Sequence, residues 1–214
     1  MSKNFMLTLL AVVAVLGGIF WFSSKKSEAP ANGKNTVQAS SHVQGAGNKN
    51  VTLIEYGDFQ CPACGGFYPI IKQIKAKYGD DIKFQFRNFP LVQIHPNAMA
   101  AHRAAEAADK QGKFFEMHDM LYERQPLWTT STSVTKIFDG YAEELGLEMT
   151  KYRQDVASSA ANDTINADIK EGQKIGANST PTFVLNGRKL DQNPRTLEDF
   201  NKLIDEAIAA KQQN

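Results

Sequence analysis

The chain has 214 residues, of which 42% are hydrophobic and 22% are charged, a composition typical of a globular protein with its own core. Its formal net charge is +1, and the two signs of charge are interspersed along the sequence. A nucleic-acid-binding protein would be expected to carry a basic face. The charge balance therefore argues against that class, and we expect no nucleic-acid partner.

An apolar run near the amino terminus, FMLTLLAVVAVLGGIFWF (5–22), predicts a membrane-spanning helix. As a helix it would extend about 27 Å, close to the roughly 30 Å hydrocarbon core of a bilayer. A cleaved signal peptide is the alternative, but Lys25 and Lys26 follow the run and the APA match (29–31) lies well downstream. A buried core helix is a third option, although no polar residue divides the run into two faces. We expect an uncleaved single-pass anchor over residues 1–22.

The anchor is followed by a polar segment, residues 23–41, which is rich in Ser, Lys, Ala, Asn and Gln. This composition predicts a flexible tether. Export of the large carboxy-terminal part is the usual outcome for such an amino terminus. We therefore expect a domain over residues 42–214 that lies outside the cytoplasm, where disulfides form and persist.

The first half of this domain predicts a β-α-β unit. VTLIEY (51–56) has the β-branched and aromatic composition of a strand. A helix follows, with Pro62 in its first turn and Gly79 at its end. IKFQFRNF (82–89) alternates apolar and polar residues, as a half-buried strand does.

A helical block over about 97–176 separates this unit from a β-β-α end. Five helices are predicted in the block from these segments: NAMAAHRAAEAADKQG, KFFEMHDMLYERQ, VTKIFDGYAEELG, EMTKYRQDVASS and ANDTINADIKEGQKIG. TPTFVLNGRKL predicts a hairpin around Asn186-Gly187, and a final amphipathic helix follows Thr196, a candidate cap. The predicted class is α/β, with a helical insertion between the β-α-β and β-β-α halves.

The two cysteines of the chain, Cys61 and Cys64, both lie in DFQCPACGGFY (58–68). As a structural cross-link they would close a loop of about four residues, worth only around 2 kcal/mol in the loop-entropy model. As a zinc site they supply two of the four ligands required. The four histidines show no ligand spacing, and His102 and His118 are expected on helix surfaces or in caps. We expect no metal.

The position of these cysteines favours a redox pair. Cys61 falls at the junction of strand and helix, where free amides and the positive end of the helix dipole stabilise a thiolate. The thiolate is the species that reacts in disulfide exchange. Cys64 lies one turn further on the same face and can close the disulfide.

Glu55 and Thr180-Pro181 also fit redox chemistry, whereas Asp58 does not. Glu55 is in phase with the apolar residues of its strand, so a buried carboxylate with a raised pKa could relay protons to Cys64; a solvated strand end is the alternative. Asp58 is expected to cap the loop and to have no catalytic role. Thr180-Pro181 opens a later strand, where a cis bond is one specific use of the proline.

Four segments in order resemble the DsbA-like thiol-disulfide oxidoreductases, which have a thioredoxin fold with a helical insertion: VQGAGNKNVTLIEYGDFQCPACGGFYP, RNFPL, HPNAMAAHRAAEAADKQGKFFEMHDMLYE and STPTFVLNG. The resemblance covers about residues 42–210. It implies that Cys61 is the exposed nucleophile, Cys64 the buried resolving cysteine and Glu55 the buried acid. It also implies a cis-proline loop at Thr180-Pro181, beside which an extended substrate chain pairs as an added strand.

The resemblance implies an extracytoplasmic enzyme that exchanges its own disulfide with thiols of reduced exported proteins, and needs no cofactor. We expect a monomeric disulfide-forming oxidase, reoxidised by a membrane partner of DsbB or VKOR type. A reductase fed by a membrane electron carrier and a non-catalytic binding module are the alternatives. Pro62 and Ala63 separate the cysteines and are expected to tune their redox properties. Oxidising relatives often carry histidine at the position of Ala63.

The residue at position 63 gives a first testable prediction. A histidine there could add a hydrogen bond to the Cys61 thiolate, worth on the order of 1.5 to 3 kcal/mol, and about 1.4 kcal/mol corresponds to roughly 30 mV for a two-electron couple. Ala63→His should therefore raise the reduction potential by about 30 to 60 mV. Equilibration of both proteins with glutathione measures this difference; a variant no more oxidising than the wild type would show that residue 63 does not tune the pair.

Overall fold

A computed structural model of the protein describes residues 38–213. The expected anchor (1–22) and most of the expected tether (23–41) lie outside the described residues. Within 38–213, no helix combines the length and apolar character needed to cross a membrane.

The described residues form a mixed sheet with helices packed around it. The strands are β1 (His42–Gln44), β2 (Val51–Gly57), β3 (Ile82–Asn88), β4 (Thr182–Leu185) and β5 (Arg188–Lys189). The helices are α1 (Pro62–Tyr78), α2 (Ala98–Asp109), α3 (Phe114–Glu123), α4 (Gln125–Trp128), α5 (Val134–Glu144), α6 (Met149–Ala157), α7 (Ser159–Lys174) and α8 (Leu197–Gln212). A 3-10 turn, Gly79–Asp81, joins α1 to β3.

The strand order in the sheet is β1-β3-β2-β4-β5, with β2 and β3 parallel and the other neighbours antiparallel. Helices α1 and α8 contact each other, α8 also contacts β2, and α7 contacts β3. Helices α2 to α7 are inserted between β3 and β4. The fold is therefore the thioredoxin-like α/β fold with a helical insertion that the sequence predicts.

Local sequence explains the elements that frame the cysteines. Alternate residues of β3 are buried, β2 alternates until its last three residues, which are all buried, and Leu53 pairs with Phe84 in the parallel register. The turn after β4 has positive φ at Asn186 (49°) and Gly187 (81°), the combination that a type I′ hairpin requires. Thr196 and Asp199 form a reciprocal capping box at the start of α8, which satisfies two amides that have no partner within the helix.

Two short elements, β1 and α4, were not predicted, because three or four residues are too few to show a period. The folded part also begins before position 42. The Ser40 amide and hydroxyl donate to the buried Asp168 carboxylate at 2.8 and 2.6 Å. The end of the expected tether is thus fixed against α7.

The expectation that His102 and His118 lie on helix surfaces or in caps is wrong. Their exposed fractions are 0% and 1%. His102 Nδ1 lies 2.6 Å from Asn88 Oδ1, and the His118 ring packs edge-on against Phe86. Both rings fill the space between the sheet and the insertion, and burial lowers the pKa of each to about 4.

Candidate active site

Helix α1 begins directly at the cysteine pair. Cys61 precedes the helix with extended backbone (φ −66°, ψ 122°), and Pro62 occupies the first helical turn. Proline suits that position because the missing N–H would have no partner there, and it favours an extended conformation for the residue before it. The Pro62 and Ala63 side chains are exposed. Pro62 therefore fixes where the helix starts and sets Cys61 at its positive end.

The two sulfurs differ in access to solvent. Cys61 is 6% exposed and Cys64 is 0% exposed, and both are free thiols in this structure. Cys61 is therefore more buried than the exposed nucleophile that the resemblance implies, because the Thr180 loop lies against it. The sulfur of Cys61 is still the one that a second thiol can approach.

The pKa of Cys61 is lowered from 9.0 to about 5. The Cys64 thiol makes the largest contribution by donating a hydrogen bond to the ionised sulfur; burial opposes it, and Thr180 adds to it. The Ala63 and Cys64 amides lower the pKa further, although neither meets hydrogen-bond geometry with the sulfur. At neutral pH, Cys61 is a thiolate.

Cys64 and Glu55 are shifted in the opposite direction. Burial raises the pKa of Cys64 well above 9.0, and the neighbouring Cys61 and Glu55 add to the shift. Glu55 is 2% exposed, so it does not lie at a solvated strand end. Burial raises its pKa to about 8 although Lys75 opposes the shift. At pH 7, both Cys64 and Glu55 carry a proton.

The Thr180-Pro181 peptide bond is cis, and the loop lies beside the pair. Cys61 Sγ donates to the Thr180 carbonyl oxygen at 3.4 Å, and Asn193 Nδ2 donates to the Pro181 carbonyl oxygen at 2.7 Å. The Thr180 hydroxyl is buried without a hydrogen-bond partner while Cys61 is a thiol. It is placed to donate to Cys61 once that sulfur is ionised.

Asp58 organises the loop before the cysteines, as expected of a capping residue. Its carboxylate is fully buried and accepts from the amides of Gln60 and Leu91, each at 2.8 Å. His95 Nδ1 lies 2.7 Å from the same carboxylate. Asp58 thus ties the cysteine loop to the segment that follows β3.

The helical insertion braces the loop through two glutamines that the sequence analysis missed. Gln125 Nε2 donates to the carbonyl oxygens of Phe59 and Cys61 at 2.8 and 2.9 Å. Gln60 accepts from the Asn97 amide at 2.7 Å. A Cβ at position 65 would lie 2.4 Å from Gln125 Oε1, so Gly65 makes room for this contact. That glycine, directly after Cys64, was the one sequence signal of a close approach.

The side chains present supply the groups that thiol exchange requires: a thiolate, a buried thiol, a protonated acid and a polar loop beside the reactive sulfur. Among residues 38–213, no group of three or more His, Cys, Asp or Glu side chains is placed to hold a metal ion. The expectation that no metal or cofactor is needed stays a prediction.

A family model described as thioredoxin matches residues 38–206, which is more than half of the chain. The chain belongs to the thioredoxin family.

Solved structures share the fold of this thioredoxin-family chain. BdbD from Bacillus subtilis aligns with a TM-score of 0.68 at 22% identity, covering 80% of this chain and 99% of that one. The alpha-DsbA1 protein from Wolbachia pipientis aligns with a TM-score of 0.66 at 20% identity, covering 79% and 91%. The predicted DsbA-like fold is thereby confirmed.

The chain also matches curated relatives, but it covers only a small share of their length. "Na(+)/H(+) antiporter NhaA 1" of Salinispora arenicola is 36% identical over 148 residues, which are 69% of this chain and 22% of the antiporter. "Na(+)/H(+) antiporter NhaA" of Herminiimonas arsenicoxydans is 34% identical over 149 residues, 70% and 23%. The chain spans less than a quarter of the length of these two relatives.

The Thr180 hydroxyl gives the second testable prediction. Thr180→Val keeps the shape of the side chain but removes the donor, so the pKa of Cys61 should rise by about one unit. The midpoint of the pH dependence of Cys61 alkylation by iodoacetamide measures this shift. Thr182→Val is the control, because the Thr182 hydroxyl donates to the Ser179 carbonyl at 2.8 Å. Equal midpoints for the two variants would contradict the assignment.

Proposed function

We propose that the protein is a thiol-disulfide oxidoreductase that forms disulfides in substrate proteins by exchange with its Cys61–Cys64 disulfide. The observation that carries this proposal is the inequality of the two thiols. The pKa of Cys61 is about 5, whereas that of Cys64 is raised well above 9.0. This separates a reactive thiolate from a buried resolving thiol, as exchange through a mixed disulfide requires.

The catalytic cycle follows from these ionisation states. A substrate thiolate attacks Cys61 of the oxidised enzyme, the Cys61–Cys64 bond breaks, and its electron pair leaves on Cys64. Glu55, protonated at pH 7 because its pKa is about 8, gives its proton to the Cys64 thiolate. A second substrate thiolate then attacks the substrate sulfur of the mixed disulfide, and Cys61 leaves as a thiolate. The substrate loses two electrons and the enzyme disulfide gains them.

The low pKa of Cys61 favours oxidation of substrates. At pH 7, two units above the pKa of Cys61, ionisation of this thiol stabilises the reduced enzyme by at most about 2.7 kcal/mol. For a two-electron couple this corresponds to roughly 60 mV of additional oxidising power. The enzyme therefore gives its disulfide away more readily than an enzyme with an ordinary thiol at this position.

A reductase is the second candidate, and the exposed Ala63 side chain favours it. Alanine offers neither a hydrogen bond nor a charge to the Cys61 thiolate, which limits the oxidising power. In that case a membrane electron carrier would keep the pair reduced. The groups that lower the pKa of Cys61 outweigh the lack of a polar side chain at position 63. We therefore propose that the enzyme acts as an oxidase.

The proposed setting is the outer side of a membrane. Residues 5–22 anchor the chain as a single pass, and reduced exported proteins are the substrates of a monomeric enzyme. An extended substrate segment pairs beside Thr180-Pro181, and a membrane partner of DsbB or VKOR type restores the disulfide. The antiporter activity named for the curated relatives belongs to proteins of which this chain matches less than a quarter.

The third prediction tests this function with the domain beginning at residue 38. The oxidised protein should form disulfides in a reduced, unfolded substrate protein stoichiometrically, and catalytically with oxidised glutathione present. Cys64→Ala should accumulate mixed disulfides through Cys61, because the resolving thiol is missing.

Cys61→Ala is the matched control and should form no mixed disulfide. Insulin reduction by the same protein tests the second candidate: faster turnover there than in substrate oxidation would favour the reductase. A protein that catalyses neither substrate oxidation nor insulin reduction would be a binding module, and the proposed function would be wrong.

A further inference from the structure

The His102 ring makes two hydrogen bonds that the cycle described above leaves without a role. His102 belongs to α2 of the insertion, and its ring is wholly buried. Its Nε2 atom accepts from the Phe59 amide at 3.4 Å, and Phe59 lies two residues before Cys61. A histidine of the insertion is thus bonded to the backbone of the loop that carries the reactive sulfur.

Asn88 determines which ring nitrogen of His102 carries the proton. The Asn88 Nδ2 group donates to Glu106 Oε1 at 2.7 Å and to Asp168 Oδ2 at 2.8 Å. Since carboxylates accept hydrogen bonds, the Asn88 amide turns its nitrogen towards them and its oxygen, an acceptor, towards His102. That oxygen lies 2.6 Å from His102 Nδ1. Nδ1 therefore carries the proton, and Nε2 keeps the lone pair that accepts from Phe59.

The carboxylates that orient Asn88 are themselves fixed by further contacts. Asp168 also accepts from the Asn88 backbone amide at 2.9 Å and from the Arg87 guanidinium at 3.0 Å. His42 Nε2 lies 2.7 Å from Glu106 Oε1. A rotation of the Asn88 amide would point its oxygen at both acids. The His102 tautomer is therefore fixed by the packing of β3 against the insertion.

The Phe59 amide belongs to the turn from which α1 starts. The Cys61 amide donates to the Asp58 carbonyl oxygen at 3.0 Å and closes this turn around Phe59. The carbonyl oxygen of Phe59 accepts from Gln125 at 2.8 Å, so both polar groups of this residue are bonded to the insertion. Because a reactive group keeps its geometry only while its supporting contacts hold, a displaced Phe59 would also displace Cys61.

We infer that His102, as its Nδ1–H tautomer, is a positioning residue that holds the cysteine loop so that the Cys61 thiolate lies at the start of α1 beside Thr180. The inference rests on the proposed function and deepens it by adding a residue that acts on the exchange through Phe59. The ring takes no part in proton transfer. Burial lowers its pKa to about 4, so it stays neutral at pH 7.

Two substitutions separate the roles of the two ring nitrogens. His102→Gln supplies an amide oxygen that can accept from Phe59. The shorter side chain of His102→Asn can donate to Asn88 but does not reach Phe59. The pKa of Cys61, measured as the midpoint of the pH dependence of its alkylation by iodoacetamide, should rise by about one unit in His102→Asn. It should stay within error of the wild-type value in His102→Gln.

His118 offers a matched control. Its side chain is also buried, and its ring packs against Phe59 with the centroids 5.6 Å apart. Its Nδ1 lies 2.8 Å from Asp119, and its Nε2 has no hydrogen-bond partner within residues 38–213. His118→Asn trims a buried ring beside the same phenylalanine without removing an acceptor from the loop. The pKa of Cys61 should be unchanged in this variant.

NMR of the labelled ring nitrogens measures the His102 tautomer in the wild-type protein, because protonated and bare nitrogens differ in chemical shift. The Nδ1–H tautomer, with a raised Cys61 pKa for His102→Asn alone, supports the inference. The Nε2–H tautomer, equal Cys61 pKa values for the two variants at position 102, or an equal rise in His118→Asn would overturn it. If a variant does not fold, the wild-type tautomer decides. A wild-type protein that does not exchange with glutathione would instead overturn the proposed function.

Discussion

The site depends on the difference in ionisation between two sulfurs one helical turn apart. Cys61 lies at the positive end of α1 with Cys64 and Thr180 beside it, and these neighbours hold its pKa near 5. Cys64 is wholly buried next to Glu55, and the same burial keeps it protonated. Because the Cys64 thiol stabilises the Cys61 thiolate, the two shifts support each other. Removing either sulfur would change the chemistry of the other.

The helical insertion is part of the site, although it contributes neither cysteine. Gln125 binds two carbonyl oxygens of the loop, and Asn97 meets Gln60 from the other side. The loop carries carbonyls that no strand partner satisfies, and buried carbonyls of this kind need donors. The insertion supplies them and so holds Cys61 at the helix start.

Most of the fold follows from local pattern, but the contacts of the site do not. The period of β3, the Asn186-Gly187 turn and the Thr196 cap were readable because each depends on neighbours in sequence. The cysteine spacing and the in-phase Glu55 pointed to the redox centre for the same reason. Gln125 meets Cys61 across 64 positions, and His102 and His118 are buried by packing between layers. Apart from Gly65, the sequence carries no signal of these long-range contacts, and polar residue types pointed to the surface.

The pH dependence of folding tests the central claim, the stabilised Cys61 thiolate, most directly. Because its pKa falls from 9.0 to about 5 on folding, the stabilisation is complete above about pH 9 and is lost as the pH falls towards 5. The free energy of unfolding of the reduced protein should therefore rise relative to that of Cys61→Ser by up to about 1.4 kcal/mol per pH unit between those limits. Glu55, whose pKa is raised, acts in the opposite sense in both proteins and largely cancels in the difference. A difference that stays constant from about pH 5 to pH 9 would contradict the account.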